Sequence, residues 1–334
     1  MMHEMRPTLP PFPTGWYAVS LSRDLRPGEV RPMTFMGEEI ILYRTESGKA
    51  NVLGAYCPHL GAHLGYGGTL RGECISCPFH KFEFDTSGQC TYVPYGTRIP
   101  PKARATVFPT LEINKLILAY YDPTGALPEW EPTSLEMTGW SDLIGTQWTL
   151  RGHPQETTEN SVDIGHFTEI HGYHAVEILK ELVTQGPYLT TQYTMTRQTL
   201  GQPLKTIFEI HVHGLGYSQV DVVVPKFGVR GRLFVLATPI DGEQITLRIA
   251  LSLDQNTQPG NFLPLLDLIP RQIINPVIAW STLAGFKHDV EQDLPIWQHK
   301  RYIQPPILAE GDGPIGRYRQ WVKQFYTELE KARI

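Results

Sequence analysis

Two short segments of the chain combine thiols with imidazoles at close spacing. Cys57-Pro58-His59 is followed, after seventeen residues, by Cys77-Pro78-Phe79-His80. Each half offers one thiolate and one imidazole, which suits two short loops closing over a two-iron cluster. One iron would take Cys57 and Cys77, the other His59 and His80. Replacing two anionic thiolates by neutral imidazoles makes such a cluster easier to reduce than an all-cysteine one. Gly61, Gly65, Gly67 and Gly68 let the backbone turn tightly and bring amides near the sulfurs. The same donors also suit a Cys2His2 zinc site, although these two half-motifs at this separation are a rare pairing for zinc. All four cysteines fall in the first hundred residues, and their clustering with histidine favours metal over disulfides. Cys74 forms C-x-x-C with Cys77, but with Cys77 committed it reads as a buried small hydrophobe. Cys90, after Gly88-Gln89, reads as structural.

A second constellation lies near the middle. Asn160, Asp163, His166 and His171 form N-x-x-D-x-x-H-x4-H. Two histidines and a distant carboxylate make a facial triad that leaves coordination positions open on a non-haem iron. The first three residues sit three apart, so a helix places them along one face. His171 is five beyond His166, a rotation of roughly 140° on an ideal helix. Both rings reach one metal if the helix is locally widened, a π-type turn that Gly165 and Gly172 would permit. The third ligand must come from far along the chain, and Asp289, Glu291 and Asp293 are the candidates. His211 and His213 alternate on one strand face without an evident third partner. His153, His174, His288 and His299 have no assigned role.

The elements that hold these residues fall into two groups. Residues 39–43 and 50–55 read as strands joined by Glu46-Ser47-Gly48-Lys49, and residues 111–121 repeat the device with Asn114-Lys115 at the turn. The first part is thus a small all-β unit. A stretch rich in Pro and Gly from 122 to 139 reads as the connection. This gives a domain over 1–125, a linker over 126–139 and a second domain over 140–334. In the second part, residues 156–184 are helix-compatible and 188–253 show repeated alternation, as in 206–212 and 246–253, which predicts an antiparallel sheet. Residues 276–290 and 318–332 read as helices. A curved sheet wrapped by helices, α+β in class, is the natural architecture.

Composition narrows the class further. The 334 residues include 41% hydrophobic and 19% charged side chains, as in a globular enzyme. The formal charge of −5 argues against a nucleic-acid surface. Residues 1–13 carry no apolar core of the kind a secretory signal or anchor has, and the apolar segment 262–286 is interrupted by Asp267, Arg271 and prolines. No integral membrane segment and a cytoplasmic location are therefore expected.

Over essentially its whole length the chain resembles the terminal oxygenase component of the Rieske non-haem iron oxygenases. Within that family it is most similar to the branch of the cholesterol 7-desaturases (Neverland-type) and 3-ketosteroid 9α-hydroxylases. The resemblance is carried by Tyr56-Cys57-Pro58-His59-Leu60-Gly61-Ala62, Gly67-Gly68-Thr69 and Cys77-Pro78-Phe79-His80-Lys81-Phe82. It continues through Leu111-Glu112-Ile113-Asn114, the Asn160 to Gly172 motif, Gln292-Asp293-Leu294-Pro295-Ile296-Trp297 and Gly311-Asp312-Gly313-Pro314-Ile315.

The resemblance implies an N-terminal all-β Rieske [2Fe–2S] domain followed by a helix-grip catalytic domain, assembled as a head-to-tail homotrimer. It favours Asp293 as the third iron ligand, with His166 and His171. Asp163 matches the family's bridging carboxylate, accepting hydrogen bonds from His166 and from a cluster histidine, His80, of the neighbouring subunit; Asn160 joins it in the catalytic set. Electrons would come from NADH or NADPH through a separate flavin/iron–sulfur reductase or ferredoxin, with O2 as co-substrate. The expected reaction is hydroxylation or desaturation of a large hydrophobic, steroid-like substrate, in a pocket lined by the catalytic sheet and the 262–286 segment. An oxygenase or demethylase that tailors a non-steroid polycyclic or aromatic product is the alternative. A Rieske electron carrier would leave some two hundred residues and the second motif unexplained, and a catalytically silent steroid-binding module would leave the triad unexplained.

Overall fold

The computed structural model describes residues 9–199, 202–261 and 264–331. They divide into two units. One is Thr14–Ser134 with the hairpin tip Thr238–Gly242; the other comprises the described parts of Met1–Pro13, Leu135–Ala237 and Glu243–Ile334.

The first unit is built of short strands: β1 (Gly15–Leu21), β2 (Val30–Phe35), β3 (Glu38–Arg44), β4 (Ala50–Gly54), β5 (Thr69–Arg71), β6 (Cys74–Ser76), β7 (Glu83–Phe84), β8 (Cys90–Tyr92), β9 (Val107–Phe108), β10 (Thr110–Ile113) and β11 (Leu116–Tyr121). They form antiparallel sheets in the orders β1-β11-β10, β2-β3-β4-β9 and β5-β6-β7-β8. Both expected hairpins are present. At the β10–β11 turn Asn114 and Lys115 have φ of 53° and 64°, the pair of left-handed residues that matches a tight turn to strand twist. Cys57 and Cys77 belong to the core itself, packed among Ile41, Leu53, Leu64, Ile75 and Phe84. Cys90 is also buried there, whereas Cys74 is half-exposed: it pairs with Arg71 at the open tip of the β5–β6 hairpin, which corrects the expectation of burial. Much of the expected linker stays with this unit. Trp16 Nε1 donates to the Trp130 carbonyl at 2.7 Å and Asn114 Nδ2 to the Thr133 carbonyl at 2.9 Å.

The second unit is organised by one antiparallel sheet. In chain order its elements are β12 (Ile144–Arg151), α1 (Pro154–Glu159), α2 (Ile164–Glu169), β13 (His174–Gln185), β14 (Tyr188–Thr199), β15 (Gln202–His213), β16 (Tyr217–Val224), β17 (Val229–Pro239), β18 (Gln244–Leu253), α3 (Arg271–His299), α4 (Ile315–Val322) and α5 (Glu328–Lys331). The sheet order is β12-β18-β17-β16-β15-β14-β13. The alternation read over 188–253 is this sheet.

Two helical expectations need correction, and a third is met by a longer helix. Residues 174–184 are strand: they pair with β14 through several register shifts and form the exposed edge of the sheet. Non-local pairing overrides the local helical preference of the Glu, Leu and Lys residues there. The helix expected over 276–290 is the long α3, which tolerates Pro276 and Pro295 within it. The expected closing helix is broken after α4, where Tyr326 becomes extended and Thr327 precedes α5, donating its N–H and its hydroxyl to the Glu330 carboxylate; Ala332 lies outside the described residues. Among the described residues no helix is long and apolar enough to cross a membrane.

Candidate cluster and iron sites

The two cysteine loops of the first unit repeat one backbone device. The Cys57 N–H donates to the Ala62 carbonyl at 2.9 Å, and the Cys57 carbonyl accepts from Gly61 N–H at 2.9 Å. Cys77 does the same with Phe82 and Lys81, at 2.8 and 3.1 Å. Gly61 and Lys81, at matching places, both have left-handed φ (74° and 59°). The loops bring the His59 and His80 rings to 4.7 Å, and Phe82 stacks on His59 at 4.5 Å with an interplanar angle of 5°. Burial, opposed by the His59 amide and reinforced by the adjacent Cys77 thiol, pushes the Cys57 thiol up to about 11. Nδ1 of His80 is buried without a hydrogen-bond partner among the described residues. Paired buried thiols beside an unpartnered imidazole nitrogen fit a cluster with two sulfur and two nitrogen ligands. Gly68 is demanded by close approach, since a Cβ there would lie 2.1 Å from the Leu64 carbonyl.

In the second unit, His166, His171 and Asp293 converge. Their ligand-capable atoms all lie within 4.8 Å of one another, and among the described residues no other trio of His, Cys, Asp or Glu does so. The N-x-x-D-x-x-H-x4-H segment is not one helix. Asn160 ends α1, Asp163 caps α2 by accepting from the His166 N–H, and α2 stops before His171, with Gly172 in the left-handed region. The expected π-type turn is therefore replaced by a helix end, which frees His171 to face His166 at a ring separation of 5.1 Å. Gly313 holds this arrangement from outside: with φ of 85°, its Cα approaches so closely that a Cβ would lie 2.2 Å from the Val162 carbonyl.

Each histidine uses its Nδ1 away from the centre. Nδ1 of His166 donates to the main-chain carbonyl of Asp163, and Nδ1 of His171 to Gln292 Oε1 at 3.0 Å. That leaves both Nε2 atoms for the shared centre, where His171 Nε2 lies 3.5 Å from Asp293 Oδ2. Asn160 Nδ2 donates to Asp293 Oδ2 at 3.2 Å. Within the chain, the Asp163 carboxylate thus meets the His166 backbone, while the ring takes the Asp163 carbonyl. Burial pulls the His166 pKa down, although Asp293 and Asp163 oppose it. At His171, burial acts in the same direction but is outweighed by the Asp293 and Gln292 hydrogen bonds, and the pKa rises. Two imidazoles and a carboxylate on one side of a centre fit a divalent iron with open positions.

The three candidate acids have separate fates. Asp293 joins the histidines. Asp289 is taken up by Arg197, at 2.6 Å, and by the Tyr173 hydroxyl, at 3.1 Å. Glu291 points outward to Lys287. His213 is buried and His211 half-buried, and they form no such trio.

The trio opens on a cavity of about 920 Å3, counted out to its mouth. Its floor is the sheet face of Met195, Phe208, Ile210, Val220, Leu233 and Val235. Its roof is α1, α2 and the Phe286, Val290 and Trp297 side of α3. The sheet lines it as expected. Of the 262–286 segment only Phe286 does so; Leu265, Leu268, Ile273, Val277 and Trp280 face outward, and residues 262 and 263 lie outside the described residues.

Residues 15–108 match the Rieske [2Fe-2S] domain, and residues 119–326 match the 3-ketosteroid 9α-hydroxylase C-terminal domain. The chain is 31% identical over 342 residues to cholesterol 7-desaturase nvd 1 of Ciona intestinalis, covering 96% of this chain and 70% of the relative. This chain belongs to the Rieske oxygenases. Among other relatives of the oxygenase is the 3-ketosteroid-9-alpha-monooxygenase oxygenase component of Rhodococcus rhodochrous, 29% identical, with 96% of this chain and 82% of the relative covered. The structure of dicamba monooxygenase bound to dicamba shares the fold, with a TM-score of 0.70, 21% identity and coverage of 96% and 97%. The oxygenase is an oxidoreductase with an N-terminal Rieske [2Fe–2S] domain and a sheet-based catalytic domain. Gln292, Tyr173 and Arg197, which hydrogen-bond His171 and Asp289 at this candidate site, carry no signal in the motifs. Gln292 was within reach, being adjacent to Asp293 in the chain; Arg197 sits on a strand 92 residues from Asp289 and carries no local signal.

Proposed function

We propose that this oxygenase uses O2 and electrons from a separate NAD(P)H-fed flavin/iron–sulfur reductase or ferredoxin to hydroxylate or desaturate a large apolar, steroid-like substrate. Cys57, His59, Cys77 and His80 hold the cluster, and His166, His171 and Asp293 hold a mononuclear iron. The observation that carries this reading is the opening of the trio onto a deep, almost wholly apolar cavity. A wall of Val, Leu, Ile, Phe and Met side chains gains by covering a polycyclic hydrocarbon skeleton and excludes water from the reacting carbon. The relatives named for cholesterol and 3-ketosteroids support a steroid-like skeleton.

When bound, the cluster would supply single electrons and the iron would supply O2 activation. The chain's own residues provide the setting. Gln292 and the Asp163 carbonyl fix each histidine with Nε2 inward. Asn160 holds the Asp293 carboxylate, and Arg197 keeps Asp289 out of the centre. Asp163, which caps α2, would accept a further hydrogen bond from the His80 of a neighbouring copy in a head-to-tail homotrimer. Leu60, Tyr66, Phe79 and Tyr95, exposed around the cluster loops, support a face that another copy covers.

The test is product analysis by mass spectrometry. Purified holoenzyme with a surrogate reductase and NADH is offered cholesterol, a 3-ketosteroid and a non-steroid polycycle. A steroid that gains one oxygen or loses two hydrogens bears the reading out and separates hydroxylation from desaturation. Product from the non-steroid polycycle alone overturns the steroid assignment.

A further inference from the structure

We propose that the Ser218 hydroxyl is a specificity contact of the cavity, hydrogen-bonding a hydroxyl or ketone oxygen carried by an otherwise apolar polycyclic substrate. The inference rests on the apolar-substrate reading above and refines it.

Ser218 lies on β16 in the cavity floor. Its cross-strand partners are Val212 on β15 and Val235 on β17, and the next floor residue along its strand, Val220, pairs with Ile210 and Leu233. A hydroxyl therefore stands alone in a row of branched hydrocarbons. A valine would suit the strand and the row at least as well, so the fold gives no reason for serine. Ser218 is 5% exposed, and its hydroxyl has no hydrogen-bond partner among the described residues. Buried hydroxyls normally find one.

The other hydroxyls of the lining are differently placed. Thr157 Oγ1 donates to the Pro154 carbonyl and Thr158 Oγ1 to the Leu215 carbonyl, each at 3.0 Å. Ser161 sits in the α1–α2 connection next to Asn160, on the side of the iron ligands. Ser218 thus gives the sheet side of the cavity an uncommitted polar group.

Its position also sets an orientation. Phe286 of α3 lies against Phe208 at one end of the floor, with ring centroids 6.5 Å apart. Trp297 packs with Ala237 and Val235 at the other end. Ser218, paired with Val235, belongs to the Trp297 end, and Asp293 is one helical turn from Trp297 on the roof. A rigid polycycle anchored through an oxygen at Ser218 then presents a carbon of its ring edge to the His166–His171–Asp293 centre. A serine hydroxyl both donates and accepts, so a ring alcohol and a ring ketone are served alike.

The test measures binding to the holoenzyme by calorimetry with matched pairs: cholesterol and its 3-deoxy counterpart, a 3-ketosteroid and its deoxy counterpart, and hydroxyphenanthrene with phenanthrene. The wild-type protein should prefer the oxygenated member by about tenfold, the order of one net hydrogen bond. Ser218→Ala should reduce that preference to within about twofold, while Ser218→Thr, which keeps the hydroxyl, should retain it. A Ser218→Ala protein with the full preference, or a wild-type protein with none, overturns the assignment. Steroid pairs that do not bind, beside a phenanthrene preference that vanishes in Ser218→Ala, overturn the steroid reading and leave Ser218 in its role. Binding of no pair overturns both.

Discussion

The His171 ring is held between two consecutive residues of α3: Gln292 meets Nδ1 at 3.0 Å and Asp293 faces Nε2 at 3.5 Å. Successive residues diverge by about 100° around a helix, so one step of α3 grips both nitrogens and fixes the tautomer. Replacing Gln292 by Leu keeps the size and removes the acceptor. Iron affinity should fall by about 10–100-fold, read by iron titration of the apo-protein, while the visible absorption of the cluster stays unchanged. Wild-type iron affinity would show that Gln292 does not orient the ring.

Asp289 and Asp293 are one turn apart on the same helix, yet the structure gives them unlike partners. Asp293→Ala should leave the cluster signal intact and abolish mononuclear iron binding. Asp289→Asn should keep the iron but weaken the Arg197 and Tyr173 clamp, lowering unfolding free energy by about 2 kcal/mol, the scale of a charged hydrogen bond. Denaturant titration beside metal analysis separates the two; iron loss in Asp289→Asn with retention in Asp293→Ala would reverse the assignment.

Asp163 combines a helix cap with the proposed bridging role, and two substitutions separate them. Asparagine caps about as well as aspartate, so Asp163→Asn should preserve iron, cluster and thermal midpoint. Turnover should nevertheless fall by about 10–100-fold or more as the charge is lost. Asp163→Ala should add a stability loss of about 1 kcal/mol from the cap. Wild-type turnover in Asp163→Asn would remove the bridging carboxylate from the reaction.

Two buried histidines away from the metal sites predict a pH dependence of stability. His153 donates through Nε2 to the Pro10 carbonyl and accepts from the Gln155 N–H at Nδ1, and burial lowers its pKa to about 4. Burial, aided by His211, does the same for His213, also to about 4. The unfolded chain binds these protons first, with an ordinary histidine value near 6.5. Stability is therefore complete above about pH 6.5 and declines as pH falls toward 4, by on the order of 3 kcal/mol for each histidine. A thermal midpoint that stays level between pH 7 and pH 5 would contradict this.

How much was legible follows from how local each feature is. The proposed cluster ligands fall within 24 consecutive residues and sit on two congruent loops, so their spacing alone made them candidates. The His166 and His171 pair was equally local, but the helix reading of its backbone was not sound. Nothing in the triplet spacing reveals that Asp163 starts a new helix, and Gly313, which packs closely against the break at Val162, lies 150 residues away. The strand β13 was misread for a similar reason. Its mostly exposed side chains lack strand alternation, and its pairing with β14 is irregular. The choice among Asp289, Glu291 and Asp293 needed the family resemblance, since the partner that removes Asp289, Arg197, lies on a different element.

Asp289, Asp293 and Trp297 recur every fourth residue along α3, so one rigid rod carries the Arg197 clamp, the carboxylate proposed as an iron ligand and the end wall of the cavity. Sliding that rod by a single residue, about 1.5 Å with a rotation near 100°, would displace all three at once. Adaptation to a longer or shorter substrate is therefore blocked on the helix and open on the sheet, where Met195, Leu233 and Val235 can change volume one at a time. The roof sets the reaction, and the floor is where substrate range can drift.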